Sequence, residues 1–163
     1  MAVDMFLKIG NNDIKGESID GKHKDEIDIL SWSWGAKQQG TSHVGTGAGA
    51  GKVAVSDLSI TRHLDKASPL LFLACCSGRH FDKVYLTCRK AGGESQVEYL
   101  KITLTGVFVS SVQSGGSEAD DRPTETVTLN FAQWKTEYTP QDAKGAATGV
   151  VAAAWDIAKA AKA

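Results

Sequence analysis

Apolar and polar residues alternate with period two along most of the chain, the pattern of strands that bury one face. Val3 to Ile9 predicts a first short strand, and Gly10 to Gly16 a turn region. EIDILSWSWG (26–35) predicts a second strand. Taken as regular, it puts Asp28, Leu30, Trp32 and Trp34 on one face and Ile27, Ile29, Ser31 and Ser33 on the other. Tryptophan carries the largest apolar area per residue, so the tryptophan face is assigned to the core and Ser31 and Ser33 turn outward. Lys52 to Arg62 predicts a third strand with a bulge near Asp57. Strands are also predicted over 83–90, 96–106 and 107–114, with Gly92-Gly93 as a hairpin signal. The stretch 124–140 alternates cleanly, with Val127, Leu129 and Phe131 on one face and Thr126, Thr128 and Asn130 on the other. Trp134, Thr136 and Tyr138 continue in the opposite parity, which predicts a bulge near Ala132.

One segment departs from this pattern. SPLLFLACCSG (68–78) has Ser68 as a candidate N-cap, Pro69 at the first helical position and Gly78 at the end. The run between them is apolar all round, which predicts a short helix, largely buried, across an open end of a barrel or sandwich. The tail 145–163 is alanine-rich, which favours helix by propensity, but Val150, Val151, Trp155 and Ile157 also suit a strand. There is no internal repeat and no obvious linker. The expectation is one mainly β domain over residues 1–163.

The chain has 163 residues, a net charge of -1 and 42% apolar residues, an ordinary globular mix. That balance gives no reason to expect nucleic-acid or anionic-membrane partners. No apolar stretch is long enough to insert in a bilayer. Asp4 stands where a secretory signal needs positive charge, and no extended apolar region follows, so the expectation is a chain made in the cytoplasm with no signal peptide. Cys75, Cys76 and Cys88 form neither a disulfide framework nor a zinc pattern and are read as buried, reduced thiols.

TGAGAGK (46–52) invites a phosphate-binding reading, which its spacing denies. Thr46 stands where the first P-loop glycine belongs, and Val53 where a Ser or Thr should follow the lysine. Gly45, Gly47 and Ala50 fit a relaxed dinucleotide spacing, but a strand pattern follows where a helix must begin. The stretch is read as a flexible hairpin loop. His23, His43, His63 and His80 are dispersed and read as surface residues. Lys22-His23-Lys24 reads as a solvated turn, and Glu118 to Asp121 as a solvated loop without calcium-ligand spacing. Trp32 and Trp34 could form a stacking platform, but core packing is the commoner use of a strand tryptophan pair. No catalytic residue, metal or cofactor is assigned.

Several long blocks identify a family. MAVDMFLKIG, KGES at 15–18, EIDILSWSWG at 26–35, GKV at 51–53, ACCSGRHF at 74–81, RKAGGESQVEYLKITL at 89–104, VFVSSV at 107–112 and DRPTETVTLNFA at 121–132 resemble the haemolysin-coregulated proteins of the type VI secretion system. The resemblance runs nearly end to end. It implies a small β-barrel of two sheets with a helix on one side, similar to phage tail-tube proteins. It also implies a structural role rather than an enzymatic one. In that role subunits close into a homohexameric ring, and rings stack into a hollow tube driven by a contractile sheath and joined to spike and baseplate proteins. Subunits are also released from the cell, and many carry small effector proteins inside the ring. The tail from Ala143 onward is richer in alanine than the family, but by the same resemblance the pattern around Val150 to Ile157 corresponds to the family's closing strand.

Two sets of site residues follow as expectations. Ser31 and Ser33 are assigned to the channel, where small hydroxyls leave room and form adaptable hydrogen bonds with cargo. Thr46, Gly47, Ala48, Gly49 and Ala50 are assigned to contact with the next ring, at an entropic cost to each subunit. The alternatives are a phage tail-tube protein and a binding module that does not assemble.

Overall fold

The computed structural model describes residues 3–40, 52–90 and 96–163. The strands are β1 (Val3–Ile9), β2 (Ile27–Asp28), β3 (Ser31–Ser33), β4 (Ala36–Lys37), β5 (Ala54–Val55) and β6 (Leu58–His63). After the helix α1 (Ser68–Ser77) come β7 (His80–Lys90), β8 (Glu98–Gly115), β9 (Thr124–Asn130), β10 (Gln133–Tyr138), β11 (Val151–Asp156) and β12 (Ala161–Lys162). The fold is mainly β, as the alternation predicts. A ten-stranded sheet runs β12-β11-β10-β8-β7-β1-β2 and branches from β8 through β9 and β6 to β3. β4 and β5 form a separate two-stranded ribbon.

The branch is made possible by β8. The two strands expected over 96–106 and 107–114 are one strand of 18 residues. Before Gly106 it pairs with β10 and after it with β9. Gly106 sits at φ +66°, a conformation that L side chains rarely adopt. The facing chain turns at the same height. β9 ends at Asn130, β10 begins at Gln133, and the Ala132 amide donates to the Thr105 carbonyl at 3.0 Å and to that of Gly106 at 3.2 Å. This is the break predicted near Ala132. The break predicted near Asp57 is present too, between β5 and β6.

The expected regular strand over 26–35 is instead broken. Ile27 and Ile29 are buried, Leu30 and Ser31 are both exposed, and Trp32 and Trp34 then pack against the core. Asp28 and Leu30 therefore do not share the tryptophan face. The cause is a change of partner. Ile29 N–H donates to the Met5 carbonyl on β1 at 3.0 Å, and Leu30 N–H to the Thr61 carbonyl on β6 at 2.9 Å. One pleat cannot serve two branches of different orientation, so parity slips at the crossing. The ladder is interrupted here, so the expected small β-barrel of two sheets is present but not closed.

The core between the branches is aliphatic, with Leu7, Ile27, Ile60, Leu86, Ile102 and Leu129 all at most 1% exposed. α1 adds Leu71 and Ala74 to it. The helix is not buried all round. Leu70, Phe72 and Leu73 are 47%, 54% and 61% exposed, and Cys76 is exposed as well. Of the three thiols only Cys88 is fully buried, and burial pushes it above the ordinary thiol range. The N-cap is Ala67, one residue earlier than expected, because the Ser68 hydroxyl accepts from the Asp65 amide at 3.0 Å and donates to Glu125 at 3.1 Å. Gly78 closes the helix in the left-handed region, at φ 65°.

The alanine-rich tail forms strands β11 and β12 at the sheet edge, with Trp155 opposite Trp134. Packing overrides helix propensity there. Gly92-Gly93 lies outside the described residues, and the strands on either side of it pair antiparallel.

The corner gives a direct test. A Cβ at Gly106 would stand 3.1 Å from the Ala132 Cβ, in addition to the cost of its positive φ. Gly106→Val is expected to destabilise by about 1–3 kcal/mol, read as a lower urea midpoint at unchanged m-value.

Candidate assembly surfaces

Ser31 and Ser33 are exposed, as expected, and the register shows what they belong to. Ser33 stands opposite Ser59, Ser59 opposite Thr128, and Thr128 opposite Ser111. In the adjacent row Ser31 faces Thr61, Thr61 faces Thr126, and Thr126 faces Gln113. Directly paired residues share a face, so two rows of uncharged polar side chains cross β3, β6, β9 and the far half of β8. Leu58, Ile60, Val127 and Leu129 alternate with them and fill the core behind. The rows end in a small network. Ser110 donates to Asp57 at 2.7 Å, and Asn130 donates to the other Asp57 oxygen at 2.8 Å.

Sequence reasoning assigned two of these eight positions, Ser31 and Ser33, to the site. It placed Thr126 and Thr128 on the polar face of their strand, but the pairing that aligns them with Ser31 and Ser33 is not written in local periodicity. The four-stranded branch also has unpaired edges. Among the described residues, β3 pairs only with β6, and β8 beyond Phe108 pairs only with β9. Such edges carry backbone donors and acceptors ready for another strand. Thr46, Gly47, Ala48, Gly49 and Ala50 lie outside the described residues.

A second polar cluster forms around His23, which was read as part of a solvated turn but is buried, while Lys22 and Lys24 beside it are exposed. His23 is 7% exposed and stacks on Phe6, with ring centroids 4.3 Å apart. Its Nδ1 is 2.8 Å from Glu26 Oε2 and its Nε2 2.6 Å from Glu98 Oε1. Arg89, also buried, lies over the same Phe6 ring and donates to Asp20 at 2.6 Å and to Asp4 at 2.9 Å. The Arg89 hydrogen bond holds the Asp20 carboxyl well below the usual carboxylate range, and the Lys22 and His23 amides add to the effect. Asp20 in turn pushes Arg89 further up. A third buried charge, Arg62, pairs with Glu125 across the strands and with Asp65. These clusters tie loops to strands, and no group of three or more potential metal ligands is present among the described residues. Among the described residues no helix is long and apolar enough to cross a membrane.

Residues 6–138 match the family described as "Type VI secretion system effector, Hcp". The chain belongs to the Hcp family. It is 57% identical over 158 residues to protein hcp1 of Pseudomonas aeruginosa, covering 96% of both chains. Among solved structures it is similar to Hcp1 from Salmonella typhimurium, at 40% identity, a TM-score of 0.81 and full coverage of both chains. A type VI secretion system effector from Yersinia pestis matches at 37% identity and a TM-score of 0.77, over 94% of this chain and 99% of that one. As an Hcp protein, the chain is a secreted, structural component of type VI secretion.

The Asp20–Arg89 contact makes a pH prediction. Asp20 is more acidic folded than unfolded, where a carboxyl titrates near ~3.9. Its contribution is therefore fully present above that value and is lost as pH falls below it. Asp20→Asn is expected to lower the urea midpoint at pH 7 and to flatten the decline in stability between about pH 5 and pH 3, measured by denaturation at each pH.

Proposed function

We propose that this chain is the subunit of a hollow secretion tube. It closes into homohexameric rings that stack, and small effector proteins travel inside. The tube is assembled in the cytoplasm against sheath, spike and baseplate proteins and then released. The observation that carries this reading is the four-stranded branch, which bears two rows of uncharged polar side chains and, among the described residues, unpaired edges at β3 and β8. Strand edges of a single chain can add head-to-tail around an axis, and such heterologous contacts close into a ring. The face bearing Ser31 and Ser33 then becomes the channel wall. Small hydroxyls there hydrogen-bond varied surfaces without imposing a shape or a charge on the passenger. Membership of a family whose homologues assemble as rings supports the same reading.

Two experiments test it. Native mass spectrometry of the purified protein should show a six-fold species. Ser33→Trp should keep that species and reduce co-purification of small cargo proteins several-fold, whereas a Ser33→Trp chain that fails to fold would place the residue in the core. Deleting Thr46, Gly47, Ala48, Gly49 and Ala50, proposed here as the ring-stacking segment, should leave rings intact and shorten tubes on electron micrographs.

A further inference from the structure

We propose that His23 is a proton-operated latch, closed while both ring nitrogens carry a proton and opened at Glu98 when one proton leaves. The latch belongs to the subunit itself and does not depend on the ring reading above. Its basis is the geometry of the imidazole. Nδ1 lies 2.8 Å from Glu26 Oε2, and Nε2 lies 2.6 Å from Glu98 Oε1. Each contact is a hydrogen bond only with a proton between its two atoms, so the trio holds two protons. An ionised carboxylate only accepts, and a neutral imidazole has a single N–H to give. The arrangement is therefore that of an imidazolium between two carboxylates, with both bonds charge-assisted. Among the described residues these two glutamates are the ring's only hydrogen-bond partners.

The three groups are brought together from two distant parts of the chain. His23 and Glu26 belong to one tight turn, in which the His23 amide donates to Asp20 at 3.2 Å and the Glu26 amide to the His23 carbonyl at 3.2 Å. Glu98 is the first residue of β8. A bulge aims it. Cys88 stands opposite Leu100, but Arg89 stands opposite Glu98, so Tyr99 is an extra residue on β8. Such a bulge redirects a side chain. Here it puts Glu98 beside Arg89, on the face of the sheet that carries Phe6, where His23 is stacked.

The two carboxylates are unequal. The Glu26 side chain is 10% exposed and that of Glu98 is 38% exposed. Leaving a buried carboxylate without a donor costs far more than leaving one that water reaches. When the ring gives one proton to solvent, the remaining N–H therefore stays on Nδ1 toward Glu26. Nε2 then turns a lone pair to Glu98, and the two repel. Glu98 swings into water, and the tie from the turn to β8 is cut. Arg89 still grips Asp20, so the opening is local. Other charges act on the ring without replacing either bond. Lys8, Lys83 and Lys101 line the same groove of about 600 Å³ and oppose the ring's charge, with Tyr85 on its floor. Asp13 and Asp82 line it too and favour that charge. Arg89 lies over the Phe6 ring on which His23 stacks.

The test uses the full chain with isotopically labelled histidine, followed by long-range proton–nitrogen correlation between about pH 5 and pH 9, above the ordinary carboxylate range. His23 is assigned by elimination in His43→Gln, His63→Gln and His80→Gln. At the acid end both its nitrogens should be protonated, and at the alkaline end Nδ1 alone. Amide exchange over residues 18–26, corrected for its intrinsic pH dependence, should rise at least about threefold in step with that change. Glu98→Gln should abolish the step, because a glutamine amide accepts from an N–H or donates to a lone pair and keeps the bond in either state. Glu98→Ala should exchange at the fast level at every pH. Retention of the proton on Nε2, exchange that does not follow the ring's protonation, or a step that persists in Glu98→Gln would overturn the latch.

Discussion

The hydrogen-bonded corner where Gly106 meets Ala132 is the constraint on which the architecture depends. A strand of 18 residues belongs to both branches of the sheet only because it can turn within its own length. Gly106 supplies the backbone conformation, and the Ala132 amide, shared between two carbonyls, pins the facing chain to the same corner. Ile157 N–H then donates to the Ala132 carbonyl at 2.9 Å, tying in the end of the tail. Three distant parts of the sequence converge on one fold line. With it in place the branch through β9, β6 and β3 is turned away from the rest, leaving one face to the core and the opposite face bare.

Much of this was legible in the residues, and what was not has a common cause. The helix at 68–77, the bulge near Ala132 and the break near Asp57 follow from local parity and turn chemistry, which act over a few residues. The crossing at Ile29 and Leu30 does not, because nothing local says that the chain will exchange β1 for β6 there. Nor could the sequence show that β8 continues through Gly106, since a glycine between two apolar runs reads equally well as a turn. Long-range pairing also hid the polar wall. Ser31 and Ser33 were readable as outward, but their alignment with Thr61, Thr126 and Gln113 depends on registers set by three other strands. His23 was misread for the same reason. Its neighbours Lys22 and Lys24 are exposed, while its partners Phe6 and Glu98 come from far along the chain.

The buried charges divide the molecule by role. Arg62 sits among Glu125 and Asp65 beneath the start of α1, joining the helix to the β6–β9 pair. Arg89 and His23 do the corresponding work for the 10–26 segment. Buried ion pairs of this kind contribute little net stability against an apolar replacement, and their value lies in fixing a geometry. Here they set the position of surfaces that a subunit offers to its neighbours, whereas the aliphatic core supplies the driving force for folding.

Among the eight side chains of the two polar rows none can gain or lose a proton in water at ordinary pH. Ionic strength has no fixed charge within the two rows to screen. Between Asp57 at one end of the face and His63 at the other, the chemical character of the rows themselves is therefore the same in acid and in alkali, in dilute solution and in brine. A secreted protein passes from one compartment to a different one, and this wall offers a companion identical terms in both.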